Sequence, residues 1–252
     1  MPPREITLSV VSHRQNALVN QLLDDIRRHC AASVALLLTE NVPDPLPLDP
    51  ARAGAPSEII RNARPEGFSA NHNAAFARCN TPYFCVANPD IRLYADPFPI
   101  LVQTLEGERA GVVGPLVRSP AGAIEASARR FPTPGILLRK LIGARPGPDY
   151  STGSGSVAVD WIAGMFMLFR RQSYAKLGGF DERFFLYYED VELCGRLRLD
   201  GLRVLLEPAA CVVHDARRES HRSPRYAWWH LRSISRWLGS ETYRRLAVAG
   251  NL

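Results

Sequence analysis

The stretch Ile6-Thr7-Leu8-Ser9-Val10-Val11-Ser12 is apolar and rich in β-branched residues, which predicts a buried β-strand. A helical spacing of apolar residues follows it, at Leu18, Leu22, Leu23 and Ile26. The segment 33–38 then returns to a strand-like pattern. A strand, a helix and a second strand in this order predict the start of a parallel α/β sheet. Such sheets bind ligands at the carboxyl ends of their strands, where Ser12-His13-Arg14 lie.

The alternation of strands and helices continues along the chain. Further strands are predicted at 59–60, 83–87, 111–115, 157–161, 164–170, 203–206 and 210–213. Further helices are predicted at 69–78, 96–107 and 190–199. We therefore expect one α/β domain over residues 1–215, with a mostly parallel central sheet flanked by helices, and a helical C-terminal extension over residues 216–252.

The composition is that of a folded protein, with 252 residues of which 46% are hydrophobic and 22% charged. An excess of 31 Lys and Arg over 25 Asp and Glu favours anionic partners such as phosphates, nucleic acid or an acidic membrane. The five cysteines are scattered singly, and no apolar run is long enough to span a bilayer or to form a signal peptide. These features favour a cytoplasmic location and argue against a disulfide framework or a zinc site.

Polar residues follow two of the predicted elements. Asp90, in Asn88-Pro89-Asp90, comes directly after the buried strand 83–87, where a metal-bound nucleotide would sit in a parallel sheet. An ordinary turn stabilised by the Asp side chain is the structural alternative. Asn71 and Asn73 fall in the first turns of a predicted helix, where they either cap it or present amides to a ligand.

The segment 179–194 combines aromatic and acidic side chains. It contains Phe184, Phe185, Tyr187 and Tyr188, followed at once by Glu189 and Asp190. Aromatic rings lower the local dielectric and offer a stacking surface, while the carboxylates supply acid–base groups. The pattern is typical of an active-site wall, and the alternative is a helix capped by Asp190 with its aromatics in the core.

These segments, in this order, resemble the family 2 glycosyltransferases of the GT-A (Rossmann-like) fold, and most of all their rhamnosyltransferase-like bacterial branch. The resemblance covers about residues 6–214. It rests on Leu8–Ser12, Gly67–Asn73, Asn88–Asp90, and Gly178–Phe185 followed by Glu189-Asp190. It implies an inverting enzyme that transfers a sugar, with rhamnose favoured, from a nucleotide-diphosphate donor to a saccharide or lipid-linked acceptor in cell-surface polysaccharide synthesis. The favoured donor is dTDP-rhamnose, and a UDP-sugar is the alternative.

The resemblance assigns the catalytic base and the metal ligands. Asp190 is expected to remove the proton from the acceptor hydroxyl, with Glu189 or Asp181 as the competing candidate. Asp90 matches the second acid of the family's D-x-D metal motif, although Asn88 stands where an Asp is often found. His214 matches a metal-ligating histidine, so Asp90, His214 and the donor diphosphate are expected to hold Mn2+ or Mg2+.

The donor site is expected from the same resemblance. Ser12, His13 and Arg14 are placed near the base or ribose, with Glu40 substituting for an Asp that many members carry after the second strand. The donor sugar and diphosphate are expected to be lined by Asn71, Asn73, Asn88 and Arg196.

The C-terminal extension mixes Arg and Trp residues, and a helix is predicted to begin near Pro224. Such a helix either docks on an anionic membrane, peripheral to the inner face of the plasma membrane, or packs its Trp face on the domain. No nucleic-acid motif is recognised, so nucleic acid is not an expected partner. The sequence leaves the oligomeric state open.

Two other functions remain open. Asn88 and the missing base-binding Asp would suit a degenerate sugar-nucleotide or glycan binding module. A nucleotidyltransferase would also use a strand-end Asp with a metal, but it normally has a Gly-rich, basic phosphate loop near the first strand, which Ser12-His13-Arg14-Gln15 is not.

Overall fold

A computed structural model describes residues 5–141, 149–151, 153, 155–215 and 224–252. The strands are β1 (Ile6–His13), β2 (Val34–Val42), β3 (Ser57–Arg61), β4 (Tyr83–Ala87), β5 (Ile91–Arg92), β6 (Ala110–Arg118), β7 (Ala128–Arg129), β8 (Val157–Ala158), β9 (Trp161–Ile162), β10 (Phe166–Arg170) and β11 (Arg203–His214). The helices are α1 (Asn16–His29), α2 (Phe68–Phe76), α3 (Phe98–Gly107), α4 (Pro134–Leu141), α5 (Arg171–Lys176), α6 (Glu189–Leu199), α7 (Pro224–Leu238) and α8 (Glu241–Val248), with a short 3-10 helix at Pro50–Ala53.

The central sheet is mixed but mostly parallel. Within the described residues it has nine strands in the order β3-β2-β1-β4-β10-β6-β11-β5, with β8 also paired to β11. Strands β3, β2, β1 and β4 are mutually parallel, and so are β6 and β11. Strand β10 lies between the two parallel groups and runs antiparallel to β4 and β6. The predicted fold class is confirmed.

Helices cover both faces of this sheet, because its central strands are apolar on both sides. Along β4, Tyr83 and Cys85 pack into one core with α1 and α3, while Phe84 and Val86 pack into a second core with α2, α5 and α6. Successive residues of a strand point to opposite faces, so one apolar run fills both cores. The unbroken hydrophobicity of Tyr83–Ala87 is thus the signature of a strand covered twice.

The two short strands predicted at 203–206 and 210–213 are one strand, β11, interrupted by a bulge. It pairs in parallel with β6 on both sides of a register shift between Glu207 and Cys211. The buried Glu207 carboxylate accepts hydrogen bonds from Thr104 Oγ1 at 2.8 Å and from the Ala209 N–H at 2.9 Å. The hydrogen-bonding capacity of Glu207 is therefore satisfied inside the bulge, so the strand can continue past a buried acid.

The predicted strand 157–161 is instead divided into β8 and β9, which belong to different sheets. Strand β8 pairs with β11, whereas β9 pairs with β7 in a separate two-stranded sheet. The Asp160 carboxylate separates them, accepting hydrogen bonds from the Phe131 N–H at 3.0 Å and from Arg198.

The C-terminal helices pack on the α/β domain. Trp237 of α7 is fully buried; it stacks on Phe131 and donates its Nε1–H to the Pro132 carbonyl at 2.8 Å. Thr242 of α8 donates to Glu192 of α6 at 2.8 Å. The packing alternative thus accounts for one face of α7, while the division at residue 215 stays a prediction.

Candidate active site

Several candidate residues meet at one edge of the sheet. The carboxyl ends of β1, β2, β4, β6 and β11 share this edge, and so does the start of the antiparallel strand β10. The N-terminus of α6, which carries Glu189 and Asp190, lies there too, since Gly164 just before β10 donates its N–H to Asp190 Oδ2 at 2.9 Å. This is the edge at which sheets of this kind bind ligands.

Asp190 is not the cap of its helix. Helix α6 begins at Glu189, and Tyr188, the residue before it, makes no capping hydrogen bond with its side chain. Asp190 instead turns its carboxylate towards Gly164 and accepts the Val191 N–H on Oδ1 at 2.8 Å. A Cβ on Gly164 would lie 3.1 Å from Phe68 Cζ, so a glycine lets the backbone approach both the ring and the acid.

Burial dominates the acid–base properties of this pair of acids. It raises the pKa of Asp190 above the ordinary 3.8, and the hydrogen bonds from Gly164 and Val191 and the charge of Arg129 counter only part of that rise. Burial, reinforced by the Asp190 charge, raises the pKa of Glu189 well above its ordinary value. A raised pKa makes Asp190 a stronger base than an exposed carboxylate.

An aromatic segment, residues 184–188, leads into α6 and is fixed from two sides. The Phe185 carbonyl accepts the Phe68 N–H at 2.8 Å at the start of α2, and the Phe184 carbonyl accepts Ser69 Oγ–H at 2.9 Å. From the other side, Ser233 of α7 donates to the Leu186 carbonyl at 2.8 Å. Helix α7 therefore positions the aromatic segment beside the candidate base.

Two residues of this segment have left-handed backbone conformations. Tyr187 and Tyr188 both have φ near 70°, which is costly for a side chain with a Cβ. Their rings pack edge-on against His230 of α7. Such conformations persist only where the surrounding structure enforces them, and they concentrate at functional sites.

Asp90 and His214 come together at the neighbouring strand ends. Strand β5 pairs with the end of β11, opposing Ile91 to His214, and His214 Nε2 lies 3.3 Å from Asp90 Oδ2. The other ring nitrogen, Nδ1, lies 2.8 Å from Oε2 of Glu125. Burial lowers the pKa of His214, but hydrogen bonds and charge from Asp90 and Glu125 outweigh it and raise that pKa to about 9.

The metal candidates and the base candidate are joined through the backbone. The Asn88 N–H donates to the Met165 carbonyl at 2.9 Å, one residue from the glycine that holds Asp190. Ala163 donates its N–H to the Ser127 carbonyl at 2.7 Å, which ties the segment carrying Glu125 to the same turn. The residues just before β10 thus bind Asp190 through Gly164 and, through Met165, the segment that leads to Asp90.

The predicted nucleotide residues also meet. Ser12 and Glu40 are paired in register between β1 and β2, and Asn16 links them, accepting from Ser12 Oγ at 2.5 Å and donating to Glu40 Oε1 at 3.1 Å. His13 follows Ser12, and its pKa is lowered by burial and by the positive charges of Arg14 and Arg225. Arg14 has φ of 58°, a third left-handed residue at this edge.

Three predicted donor ligands are engaged within the protein. Asn73 donates to the Phe180 carbonyl at 2.8 Å and accepts from Tyr174 Oη at 2.8 Å, while Arg196 binds the Gly179 carbonyl at 2.7 Å and the Glu192 carboxylate at 2.8 Å. The contacts of Asn73 and Arg196 therefore favour holding residues 179–180 in place over binding the donor.

Asn71 is likewise used internally. Its amide donates to the Gly67 carbonyl at 2.8 Å and accepts from Asn62 at 2.6 Å, and the residue is buried. Of the two readings of Asn71, the contacts support local stabilisation of the helix start. The side chain of Asn88 stays a predicted donor contact, while its backbone performs the link to β10 described above.

Two residues at this edge, Glu125 and Arg129, were not singled out from the sequence as part of the site, and the hydrogen bond from the Gly164 N–H to Asp190 was not foreseen. Glu125 lies beyond the turn at 119–122, and Arg129 in β7 acts on Asp190 through its charge. None belongs to a recognisable motif. The pairing of β7 with β9 and a bridge between Arg118 and Ile124 bring these segments to the sheet edge. Local sequence patterns do not reveal such pairing.

Among the described residues, no group of three or more His, Cys, Asp or Glu side chains is arranged to hold a metal ion by itself. Asp90 Oδ1 is buried and has no hydrogen-bond partner within the described residues. An orphaned carboxylate oxygen beside an imidazole nitrogen fits a divalent cation whose remaining ligands come from outside the protein.

Comparison with known proteins identifies related glycosyltransferases. The chain is 34% identical over 152 residues to an N-acetylglucosaminyl-diphospho-decaprenol L-rhamnosyltransferase of Mycobacterium tuberculosis, covering 55% of this chain and 48% of the relative. It is 33% identical over 185 residues to the rhamnosyltransferase WbbL of Escherichia coli, covering 68% of this chain and 70% of the relative. The chain thus spans about half the length of the mycobacterial relative.

Solved structures show the same fold. The mannosyltransferase PcManGT from Pyrobaculum calidifontis, in complex with GDP-Man and Mn2+, superposes with a TM-score of 0.66 at 15% identity, covering 100% of this chain and 70% of that one. GalNAc-T7 with UDP, GalNAc and Mn2+ gives a TM-score of 0.68 at 14% identity, covering 87% of this chain and 45% of that one. The family described as "Glycosyltransferase like family 2" matches residues 2–240. This match, which covers most of the chain, shows that the chain belongs to the family 2 glycosyltransferases.

Proposed function

We propose that this chain is an inverting, metal-dependent glycosyltransferase that moves a sugar from a nucleotide diphosphate to a saccharide or lipid-linked acceptor in surface-polysaccharide synthesis. The observation that carries the proposal is that Asp190 and the segment leading to Asp90, which contacts His214, are both hydrogen-bonded to residues 164–165 just before β10. Asp190 suits deprotonation of an acceptor, and the Asp90–His214 pair suits a cation on the leaving group.

Asp90 and His214 are the residues that would hold Mn2+ or Mg2+. Asp90 Oδ1 is buried and has no hydrogen-bond partner among the described residues, so it can supply an oxygen ligand. His214 supplies a nitrogen ligand through Nε2, and this combination slightly favours Mn2+. When bound, the cation neutralises charge developing on the departing diphosphate. Since the described residues offer these two ligands, the donor diphosphate is proposed to supply further coordination.

Asp190 is the proposed base. Its carboxylate is fixed by two backbone N–H groups, from Gly164 and Val191, so its orientation does not depend on a ligand. It would accept the proton of the acceptor hydroxyl on one of its carboxylate oxygens. Burial and the Asp190 charge raise the pKa of Glu189 well above its ordinary value, which favours its protonated form and makes it the weaker candidate for the base.

Ser12, His13, Arg14 and Glu40 form the proposed nucleotide corner, with Asn88 next to the diphosphate. A rhamnose donor such as dTDP-rhamnose is favoured over a UDP-sugar because two relatives are named rhamnosyltransferases. The lipid-linked acceptor is proposed on the same ground, since the mycobacterial relative is named for a diphospho-decaprenol substrate.

The outer face of α7 is the proposed membrane contact. Trp228 and Leu231 are 55% and 64% exposed, and the Arg232 guanidinium lies 5.3 Å from the centre of the Trp228 ring. Basic and aromatic side chains on one exposed helix face are complementary to an anionic lipid surface. Within the described residues no helix has the length and hydrophobicity to cross a bilayer. We therefore propose peripheral binding at the inner face of the plasma membrane.

Turnover tests the proposal. Donors carrying dTDP, UDP and GDP are offered with Mn2+, Mg2+ or a chelator, with and without lipid-linked acceptor, and release of nucleoside diphosphate is measured. Release that needs both acceptor and metal, and that falls about 100- to 10,000-fold in Asp190→Asn while the nucleotide still binds, is expected. Nucleotide binding with no release from any donor would favour a degenerate binding module instead.

The membrane contact has its own test. Sedimentation with vesicles containing anionic lipid should pull down the wild type and the Val248→Ala variant, whose exposed side chain lies on α8. A Trp228→Ala, Leu231→Ala double variant should stay in solution. Equal sedimentation of all three proteins would refute the assignment of the α7 face.

A further inference from the structure

Glu125 lies on the far side of the His214 ring from the proposed metal site. Its backbone N–H donates to the Val117 carbonyl at 2.9 Å, which anchors the residue beside the end of β6. Strand β11 is in register with β6 there, with Val213 opposite Arg118, so the next residue, His214, falls within reach of the Glu125 carboxylate. The resulting distance from His214 Nδ1 to Glu125 Oε2 is 2.8 Å.

The two ring nitrogens of His214 therefore face different carboxylates. Nδ1 donates to Glu125, whereas Nε2 faces Asp90, whose second oxygen is buried and unpartnered among the described residues. A histidine that binds a metal through one nitrogen commonly donates the other N–H to a carboxylate, which fixes the tautomer and the ring orientation and makes the ligand more basic.

We infer that Glu125 is a positioning residue for the metal, acting through His214 and not as a ligand itself. The inference rests on the proposed function, since it deepens the same metal site. The Glu125 carboxylate contacts Nδ1, and a cation shared with Asp90 would be at Nε2, so the imidazole separates the two. Among the described residues we propose two ligands for the cation, Asp90 and His214, so the orientation of the His214 ring is expected to affect the metal affinity.

The side-chain environment suits such a role. The side chains of His214, Asp90 and Glu125 are only 14%, 16% and 27% exposed, so water competes weakly for the Nδ1 hydrogen bond. By contrast, Glu241 and Arg244 of α8 form an ion pair at the surface, and their side chains are 69% and 68% exposed. Glu241→Ala therefore serves as a matched control that removes an equal charge.

The experiment measures how much Mn2+ is needed for nucleotide binding. UDP and dTDP are titrated into the full chain by calorimetry at a series of Mn2+ concentrations, and the concentration giving half-maximal nucleotide binding is compared between variants. Thermal unfolding without metal is recorded in parallel, because a merely structural ion pair would change the unfolding temperature and leave the Mn2+ requirement unaltered.

Glu125→Ala is expected to need about 10- to 100-fold more Mn2+ than the wild type. Glu125→Gln should remain within a few-fold of the wild type, because its amide oxygen can still accept the Nδ1–H. Glu241→Ala should match the wild type, and Asp90→Ala should lose the Mn2+ effect. Glu125→Met, which is closer in size to glutamate, replaces the alanine variant if the latter does not fold.

The outcomes separate this inference from the function on which it rests. A normal Mn2+ requirement in Glu125→Ala, together with a lost one in Asp90→Ala, would overturn the role of Glu125 and leave the metal site in place. An equal loss in Glu125→Gln would also overturn it, because the hydrogen bond is preserved there. Nucleotide binding by the wild type that is independent of Mn2+ would remove the proposed metal site, and the role of Glu125 with it.

Discussion

Replacing Gly67 with alanine should disturb the aromatic segment next to Asp190. A Cβ at this position would lie 2.6 Å from the Phe185 carbonyl oxygen and 2.9 Å from Phe185 Cα. Both atoms are backbone, so no side-chain rotation can relieve the clash. The backbone at Phe185 must therefore move away from residue 67. This movement would stretch the 2.8 Å hydrogen bond from the Phe68 N–H to the Phe185 carbonyl.

The expected cost follows from this geometry. Inserting a methyl group into a packed site costs about 1–3 kcal/mol. For a chain of this size each kcal/mol lowers the unfolding temperature by about 2–4 °C, so the decrease should be roughly 2–12 °C. Because the aromatic segment leads directly into α6, a displacement on the order of 1 Å is expected to lower kcat by up to about 100-fold.

Gly107→Ala is the matched control. This glycine ends α3, and no atom lies within 4 Å of the Cβ it would gain. Alanine favours a helix, so the control should be neutral or slightly more stable. Differential scanning fluorimetry and the nucleoside-diphosphate release assay measure both proteins. An unfolding temperature and a kcat in Gly67→Ala equal to those of Gly107→Ala would refute the proposed link between the start of α2 and the aromatic segment.

Three further predictions concern protonation. Arg129→Ala removes a positive charge and should raise the pKa of Asp190 further, so the acid limb of the pH profile of kcat should move to higher pH. An acid limb at the same pH in both proteins would contradict the assignment of Asp190 as base. The pKa of Glu189 is raised in the folded state, so the wild type should lose stability as the pH rises above the ordinary value of 4.5. The unfolding free energy of Glu189→Gln, measured in urea, should depend less on pH. The same pH dependence in both proteins would argue against a protonated Glu189. Asp90 and Glu125 raise the pKa of His214 to about 9, and the ring must release its Nε2 proton to bind a cation. The Mn2+ affinity measured by calorimetry should therefore rise with pH towards 9. A pH-independent affinity would exclude His214 as a ligand.

Local patterns predicted most of the fold correctly. The apolar runs of β1, β2, β4 and β10 are buried on both sides, so their hydrophobicity is continuous and easily read. The spacing of apolar residues in α1 follows directly from its packing on one face of the sheet. Where Glu207 is satisfied inside the β11 bulge, the pattern predicted two separate strands instead of one strand with a register shift.

The candidate site was predictable only in part. Acids that follow a core strand or open a helix, such as Asp90 and Asp190, carry a positional signal because ligand-binding edges are built there. Glu125 and Arg129 carry none, since only tertiary pairing brings them to that edge. Asn73 shows the opposite case: an amide in the first turns of a helix looked available, but the loop at residue 180 uses its hydrogen bonds.

The position of β11 between β6 and β5 also has a consequence for synthesis on the ribosome. Residues 6–92 contain β1 to β5, including the nucleotide corner and Asp90, and leave the ribosome first. His214 ends the last strand of the sheet, opposite Ile91, and α7 follows it. At translation rates of about 5–20 residues per second, roughly 6–25 seconds separate Asp90 from His214. In a nascent chain β5 thus waits for β11 to be made, and the contact between Asp90 and His214 forms only after residue 214 has emerged.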